Sequence, residues 1–373
     1  MSNIRKIAFV GNSALTMMNF RLGVMKALSS QYEVVMMTPQ DCELTQLSGT
    51  NIRFVPIHVD CKGQNPIKDI RFLSQLKQIY AQEGFDFVFH YTIKPIIYGS
   101  LAASQLGIKH INVITGLGYT FIKRNWLFYL SCQMHRYALR STNAVWFLNQ
   151  DDCDAFVKWH IIPFAKTHVI HGEGVNTDFY RSTREPEKPF IFLYCGRMLR
   201  TKGVELYIRA AEILKAEFPD ARWQLLGPLD ALNPDAIRLE EMEAWVRKGA
   251  IEYLGVTSDV RPFLERCSCM VLPSYYMEGV PRSLMEAASM ERTLIATDSV
   301  GCKEVVLDGV NGLLCEKRNL NSLVEAMRKI LNTPSDKLRC MGQKGRELML
   351  RKFDERIIIE EYKNALNTYA YEI

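Results

Sequence analysis

Residues 271–312 read VLPSYYMEGVPRSLMEAASMERTLIATDSVGCKEVVLDGVNG, and two carboxylates in that stretch, Glu278 and Glu286, carry its chemistry. Seven residues separate them. A carboxylate repels phosphate but accepts hydrogen bonds from hydroxyls, such as those of ribose and hexose rings. The groups that could hold phosphate are backbone N–H groups of residues 279–283, provided a helix opens there. Pro281 suits such an opening, because its fixed φ and missing N–H cost nothing in a first turn. Leu284, Met285, Ala287 and Ala288 continue with a helical apolar rhythm. Taken by spacing alone, the same two glutamates also fit the surface of an ordinary helix.

The elements that must position these groups follow from the flanking pattern. Residues 269–272 and 294–296 are short apolar runs of buried-strand type. The unit is therefore strand, loop, helix, strand, one crossover of a parallel sheet. Glu278 then sits in a loop beyond the carboxyl end of a strand, where open α/β sheets bind ligands. A second loop of this kind follows the strand at 190–195 and reads GRMLRTKG. Its Arg197 and Lys202 could neutralise a diphosphate without a metal and stabilise charge on a departing nucleoside diphosphate. Two solvated surface cations are the plainer alternative.

The first half also alternates strand and helix. Strands are expected at 7–10, 33–37, 85–89, 110–114 and 144–148, and a helix at 17–28. The dinucleotide fingerprint G-x-G-x-x-G is absent. Gly11 after the first strand lets a ligand approach the backbone, or is merely a turn. Arg21 on the first helix could meet an acceptor phosphate, or could be solvated. His90 and Lys94 follow a strand, where a histidine can orient or relay a proton and a lysine can hold phosphate. A structural histidine is the alternative. Thr115 and Gly116 end the next strand, and Gly116 with Gly118 permits close approach of a substrate. Asp152 and Asp154 form a D-x-D string, which can hold a metal through nucleotide phosphates in other proteins. Asn149 as a helix cap, with the aspartates in the first turn, accounts for it better.

The run Glu-Gly-Val-Pro, Glu-Ala-Ala, Leu-Ile-Ala-Thr, then Gly301-x-x-Glu304 and Asp308-Gly309-x-x-Gly312, resembles the donor-site signature of family 4 glycosyltransferases. The resemblance implies a retaining enzyme of the α/β GT-B fold, with two Rossmann-like doubly wound domains facing a central cleft. It implies that Glu286 holds the nucleotide ribose and that Glu278, Gly279, Val280 and Pro281 meet the donor sugar. Arg197 and Lys202 match the family's diphosphate loop, and Gly11 would lie over the donor. Glu278, Arg197 and Lys202 are the expected catalytic groups, and Glu304 would support the loop set. Many family members place a histidine near the end of the strand that here is followed by Thr115 and Gly116. The strings HYTIKPIIYGSLAA and ITGLGYTF resemble a subgroup that extends polyprenyl-diphosphate-linked glycans with N-acetylgalactosamine or a related hexose.

The expected activity is transfer of a hexose or N-acetylhexosamine from a UDP-sugar to a polyprenyl-diphosphate-linked sugar, in bacterial surface-polysaccharide or glycoprotein-glycan assembly. Arg21, His90, Lys94, Thr115 and Gly116 are the acceptor candidates, and no metal cofactor is expected. A GT-B sugar-nucleotide epimerase and a non-catalytic glycan-binding scaffold are the alternatives. With 373 residues and 48% apolar content the chain can build two cores. The expected domains are 1–182 and 183–355, divided at the polar 183–189 stretch, with a last helix from about 356 returning to the first domain. A net charge of +5 is far from a nucleic-acid footprint. Ten unpatterned cysteines suit a reducing cytosol. The N-terminus reads as a first strand, and no run approaches the ~20 apolar residues of a membrane helix. Residues 121–130 mix basic and aromatic side chains as an interfacial helix does. The expected location is therefore cytoplasmic, peripheral on the inner membrane's cytoplasmic face.

Overall fold

A computed structural model describes residues 4–371, apart from 61, 62, 64, 119, 120, 122, 123, 184, 185, 187, 231, 232 and 277. In the first half, strands β1 (Lys6–Val10), β2 (Glu33–Thr38), β3 (Ile52–Pro56), β4 (Phe87–Tyr91), β5 (Lys109–Ile114), β6 (Ala144–Phe147) and β7 (Thr167–Val169) form one parallel sheet. Its order is β3-β2-β1-β4-β5-β6-β7. Helices α1 (Ala14–Leu28), α2 (Pro66–Glu83), α3 (Ser100–Gln105), α4 (Trp126–Ala138) and α5 (Gln150–Lys158) make the crossovers. The central strands are buried on both faces, which explains why β4 is a continuous FVFHY run rather than an alternating one. The β3 strand and α2 were not apparent from the sequence. Helix α2 is set by local signals: Asn65 caps it, Pro66 opens it and left-handed Gly84 closes it.

The second half repeats the plan. Strands β8 (Ile191–Cys195), β9 (Arg222–Leu226), β10 (Glu252–Tyr253), β11 (Cys269–Leu272), β12 (Thr293–Thr297) and β13 (Gly312–Cys315) form a parallel sheet of order β10-β9-β8-β11-β12-β13. Helices α6 (Val204–Glu217), α7 (Leu239–Arg247), α8 (Arg261–Arg266), α9 (Arg282–Ser289) and α10 (Cys302–Val305) connect the strands, and α11 (Leu320–Leu331) and α12 (Ser335–Leu348) follow them. In each sheet the strand order reverses once, between β1 and β4 and between β8 and β11. The crevice at such a reversal is the natural ligand site of an open α/β sheet.

The chain divides into two units, Met1–Gly174 with Glu355–Ile373, and Val175–Asp354. The first boundary falls earlier than the expected 182/183, for a hydrogen-bonding reason. The Val175 N–H donates to the Phe353 carbonyl at 2.8 Å, and the Tyr180 carbonyl accepts from Ser289 Oγ at 2.6 Å and Arg346 Nη1 at 3.1 Å. Residues 175–182 are thus tied into the second unit before the polar stretch begins. Arg184, Glu185 and Glu187 of that stretch lie outside the described residues. The last helix, α13 (Glu355–Tyr371), belongs to the first unit. Its Tyr362 packs among Phe9, Phe89 and Trp146 and shares a 2.7 Å hydroxyl hydrogen bond with Tyr91. No helix among the described residues is long and apolar enough to cross a membrane.

Candidate active site

The reversal between β8 and β11 puts the two sequence-predicted loops of the second unit side by side. The loop after β8 ends in a 3-10 turn, Arg200–Lys202, closed by Gly203 at φ +80°. A Cβ on Gly203 would lie 2.1 Å from the Pro273 carbonyl oxygen, so only glycine lets this turn abut the loop after β11. The Thr201 carbonyl then accepts from both the Tyr275 and Tyr276 N–H groups at 3.0 Å. Zipped in this way, the loops bring Lys202 Nζ to 3.1 Å from Glu278 Oε1. Ser274 Oγ donates to the same oxygen at 3.0 Å. Both side chains of the ion pair are mostly buried, 16% and 12% exposed. Arg197 differs. Its side chain is 47% exposed and its guanidinium stands 3.9 Å from Asp230, a loose contact that leaves its donors for a ligand.

Glu286 is held separately. It lies buried on α9, and Arg282 Nε one turn earlier donates to its Oε1 at 2.8 Å. Burial pushes its carboxyl pKa up, and Arg282 and the Tyr180 hydroxyl pull it back. Pro281 occupies the cap position of α9 in an extended conformation rather than the first helical turn. No side chain caps the helix, so its leading N–H groups retain anion-binding capacity. A Cβ on Gly301 would lie 2.4 Å from the Gly279 carbonyl oxygen, so this glycine presses against the Glu278–Gly279 loop from the other side. Glu304 does not support that loop through its carboxylate; it pairs with Lys352 at 2.9 Å. Met277 lies outside the described residues.

In the first unit a cavity of about 210 Å³ opens where residues following β4 and β5 meet. It gathers Lys94, Thr115 and Gly116, three of the five acceptor candidates, with Asn12 and Thr92. Lys94 Nζ is steered by Asp69 at 2.6 Å, whose other oxygen accepts from Tyr98 at 3.0 Å. Gly11 does not line this cavity; its N–H donates to the Met37 carbonyl at 3.0 Å, and its neighbour Asn12 reaches the wall.

The other two acceptor candidates are core residues. Arg21 is 5% exposed, paired with Glu173 and stacked 4.4 Å from the Tyr91 ring, so it has no face for an acceptor phosphate. His90 is fully buried, and burial next to His110 drives its pKa well below the ordinary value. Its Nδ1 lies 3.2 Å from Asn112 Oδ1 and its Nε2 lies 3.0 Å from the Tyr80 hydroxyl. An amide oxygen only accepts, so Nδ1 carries the proton and Nε2 accepts from Tyr80. Ser100 Oγ and Thr142 Oγ1 complete the network on Asn112 at 2.9 and 3.0 Å. Gly99 abuts the locked ring: an added Cβ would lie 2.4 Å from its Cδ2 and Nε2. Gly99→Ala is expected to destabilise the protein by about 1–3 kcal/mol. Urea unfolding checks this, and His90→Ala in the same chain should recover part of the loss. An unchanged midpoint for Gly99→Ala would remove the locked-ring account.

Asn149 Oδ1 accepts from the Asp152 N–H at 2.8 Å, so the D-x-D string is a capped helix start. Among the described residues no group of three or more His, Cys, Asp or Glu could hold a metal ion. Three site features were missed in the sequence: Ser274, Arg282 and Tyr180. The Arg282–Glu286 spacing of one helical turn was legible. Tyr180 was hidden because the expected boundary put it in the first domain, more than a hundred residues from Glu286 in sequence.

Known proteins place this arrangement. The family model for glycosyl transferases group 1 matches residues 176–348, and that for glycosyl transferase 4-like proteins matches residues 6–149. The chain is 26% identical to the N,N'-diacetylbacillosaminyl-diphospho-undecaprenol alpha-1,3-N-acetylgalactosaminyltransferase of Campylobacter jejuni, over 96% of this chain and 97% of that enzyme. It is 21% identical to the UDP-Gal:alpha-D-GlcNAc-diphosphoundecaprenol alpha-1,3-galactosyltransferase of Escherichia coli, over 87% of this chain and 86% of that one. Among solved structures, Anabaena Alr3699/HepE in complex with UDP-glucose aligns with a TM-score of 0.79 at 17% identity, over 97% of this chain and 99% of that one. Its likeness is one of fold. Two Rossmann-like units, matched in turn by the 4-like and group 1 models, make this chain a glycosyltransferase of the GT-B fold.

Proposed function

We propose that the protein moves a hexose or N-acetylhexosamine from a UDP-sugar to a polyprenyl-diphosphate-linked sugar, with retention at the anomeric carbon. The observation that carries this reading is the Lys202–Glu278 pair at the β8/β11 reversal, with Arg197 loosely held on the same loop. Arg197 and Lys202 neutralise the diphosphate, so the reaction needs no metal. Glu286 accepts from the ribose hydroxyls, and Glu278 with the 279–281 backbone holds the sugar. The bond from the anomeric carbon to the phosphate oxygen breaks as the acceptor oxygen bonds to the same face. The acceptor proton passes to the departing phosphate oxygen, and UDP leaves. The names of the two relatives support a diphospho-undecaprenol-linked acceptor, and the UDP in one relative's name and in the Anabaena complex supports the donor. Lys94, Thr115 and Gly116 line the acceptor side.

The test is UDP release from a panel of UDP-sugars in EDTA, with and without a polyprenyl-diphosphate-sugar acceptor. Release that needs one donor and the acceptor supports the reading. Release with no acceptor dependence points to another reaction, and an inverted anomer in product NMR overturns retention.

Membrane contact belongs to the same reading. Helix α4 turns Trp126, Tyr129, Leu130 and Tyr137 outward, 68%, 61%, 47% and 62% exposed, with Arg124 and Arg140 at its ends. Apolar and aromatic side chains on one stripe, flanked by cations, suit an anionic lipid surface on the cytoplasmic face of the inner membrane. Lys123 of the predicted interfacial stretch lies outside the described residues. Trp126→Ser, Tyr129→Ser and Leu130→Ser together are expected to cut co-sedimentation with phosphatidylglycerol vesicles about tenfold or more. Undiminished co-sedimentation removes α4 as the contact.

A further inference from the structure

We propose that His135 is a specificity residue for the acceptor, its Nε2 accepting the N–H of an acylamino substituent on the acceptor sugar. The proposal rests on the glycosyltransferase reading above and names the chemistry of its acceptor. His135 lies on the buried face of α4 with Phe128, Ser131, Cys132 and Ala138. Its Nδ1 is 2.8 Å from the Ser131 carbonyl, one turn back. A carbonyl oxygen only accepts, so Nδ1 carries the proton and Nε2 is left as a bare acceptor. Burial moves the ring's pKa down to about 4, so the neutral form holds at neutral pH.

Among the described residues the hydrogen bonds of the ring run through Nδ1, to the Ser131 carbonyl and to Ser131 Oγ at 3.3 Å, and none reaches Nε2. The ring lines the 210 Å³ cavity together with Phe121 and Phe156, whose centroids stand 5.7 and 5.8 Å from it. Lys94 and Thr115, whose side chains can donate, line the same cavity. At about 30 Å³ per water the cavity holds roughly seven waters, and it falls short of the ~300 Å³ at which whole-ligand pockets begin. It therefore suits one ring or one substituent. An acylamino group matches all three features: its N–H meets Nε2, its carbonyl meets a donor, and its methyl meets the aromatic wall. A plain hydroxyl fills the polar part and leaves the aromatic wall uncovered.

The test compares two polyprenyl-diphosphate acceptors, one ending in an N-acetylhexosamine and one in the plain hexose, at saturating UDP-sugar. His135→Phe is expected to raise KM for the acylamino acceptor about tenfold, several times more than for the hexose acceptor, with the UDP-sugar KM as the donor-side comparison. His135→Gln, whose amide oxygen accepts, should restore part of the difference. Equal KM values in folded His135→Phe, or an equal loss on both acceptors, overturn the proposal. Should His135→Phe not fold, ¹⁵N-histidine NMR of the wild-type chain decides: the Nε2 resonance of His135 moves on adding the acylamino acceptor and not the hexose one. No movement overturns the proposal. That readout needs binding alone, so it separates from a wild type that transfers nothing, which would overturn the transferase reading instead.

Discussion

Lys202→Ala is expected to lower kcat for sugar transfer by about 10²–10³, the size of losing one preorganised donor at an oxygen that gains charge. Lys202 is fixed before any ligand arrives, because Glu278 lies 3.1 Å away and the Thr201 carbonyl is tied to two N–H groups of the facing loop. A cation held in this way costs little reorganisation when the diphosphate leaves. The substitution also strips Glu278 of its counter-ion and leaves it Ser274 as hydrogen-bond donor. With both side chains more than four-fifths buried, some stability goes too, about 1–3 kcal/mol before allowance for residual solvent. The two losses separate in the double variant. Lys202→Ala with Glu278→Gln relieves the stranded carboxylate, so thermal unfolding returns toward the wild-type midpoint while transfer stays low. If the double variant regained transfer, Lys202 would act only by neutralising Glu278, and its role at the diphosphate would be abandoned.

The particular residues explain how far the sequence could be read. Two of the strands at the reversals are short apolar runs, and both survive in the structure as β4 and β11 with small changes at their ends. The paired loops were legible because Arg197, Lys202, Glu278 and Glu286 stand in strings that resemble a donor-site signature, which spacing alone did not single out. What spacing could not supply is which carboxylate meets which cation. Glu278 takes Lys202 from 76 residues away, whereas Glu286 takes Arg282 from its own helix. The failures have one cause. His90 and Arg21 are polar residues on buried elements, and a polar residue near a strand end reads alike whether it faces a ligand or a core network. For His90 the deciding partners, Tyr80 and Asn112, come from α2 and β5, which no local pattern joins to β4. His135 lies beyond the 121–130 stretch that reads as interfacial, and no local pattern joins it to the strand ends.

Gly203→Ala is expected to do more damage than its one methyl suggests, with about 3 kcal/mol lost and transfer reduced to the level of Lys202→Ala. Two terms add. At φ +80° an alanine carries about 1–2 kcal/mol of left-handed strain. The new Cβ would also lie 2.1 Å from the Pro273 carbonyl oxygen and 2.7 Å from its carbon, both backbone atoms that no rotamer change can move. Relief requires the loops to part, which breaks the bonds from Tyr275 and Tyr276 to the Thr201 carbonyl at about 1 kcal/mol each. Parting also withdraws Lys202 from Glu278, so the structural and catalytic losses share a cause. Gly249→Ala is the control. Gly249 has φ +78° and nothing within 4 Å of an added Cβ, so it incurs the strain and no clash. For a unit of this size each kcal/mol moves the midpoint by about 2–4 °C, so Gly203→Ala should fall about 6–12 °C and Gly249→Ala about 2–8 °C. Transfer by Gly249→Ala should stay at the wild-type rate. Equal shifts for the two variants, with transfer intact in both, would mean that the loop contact at Pro273 yields without consequence and that the donor site is not held together there.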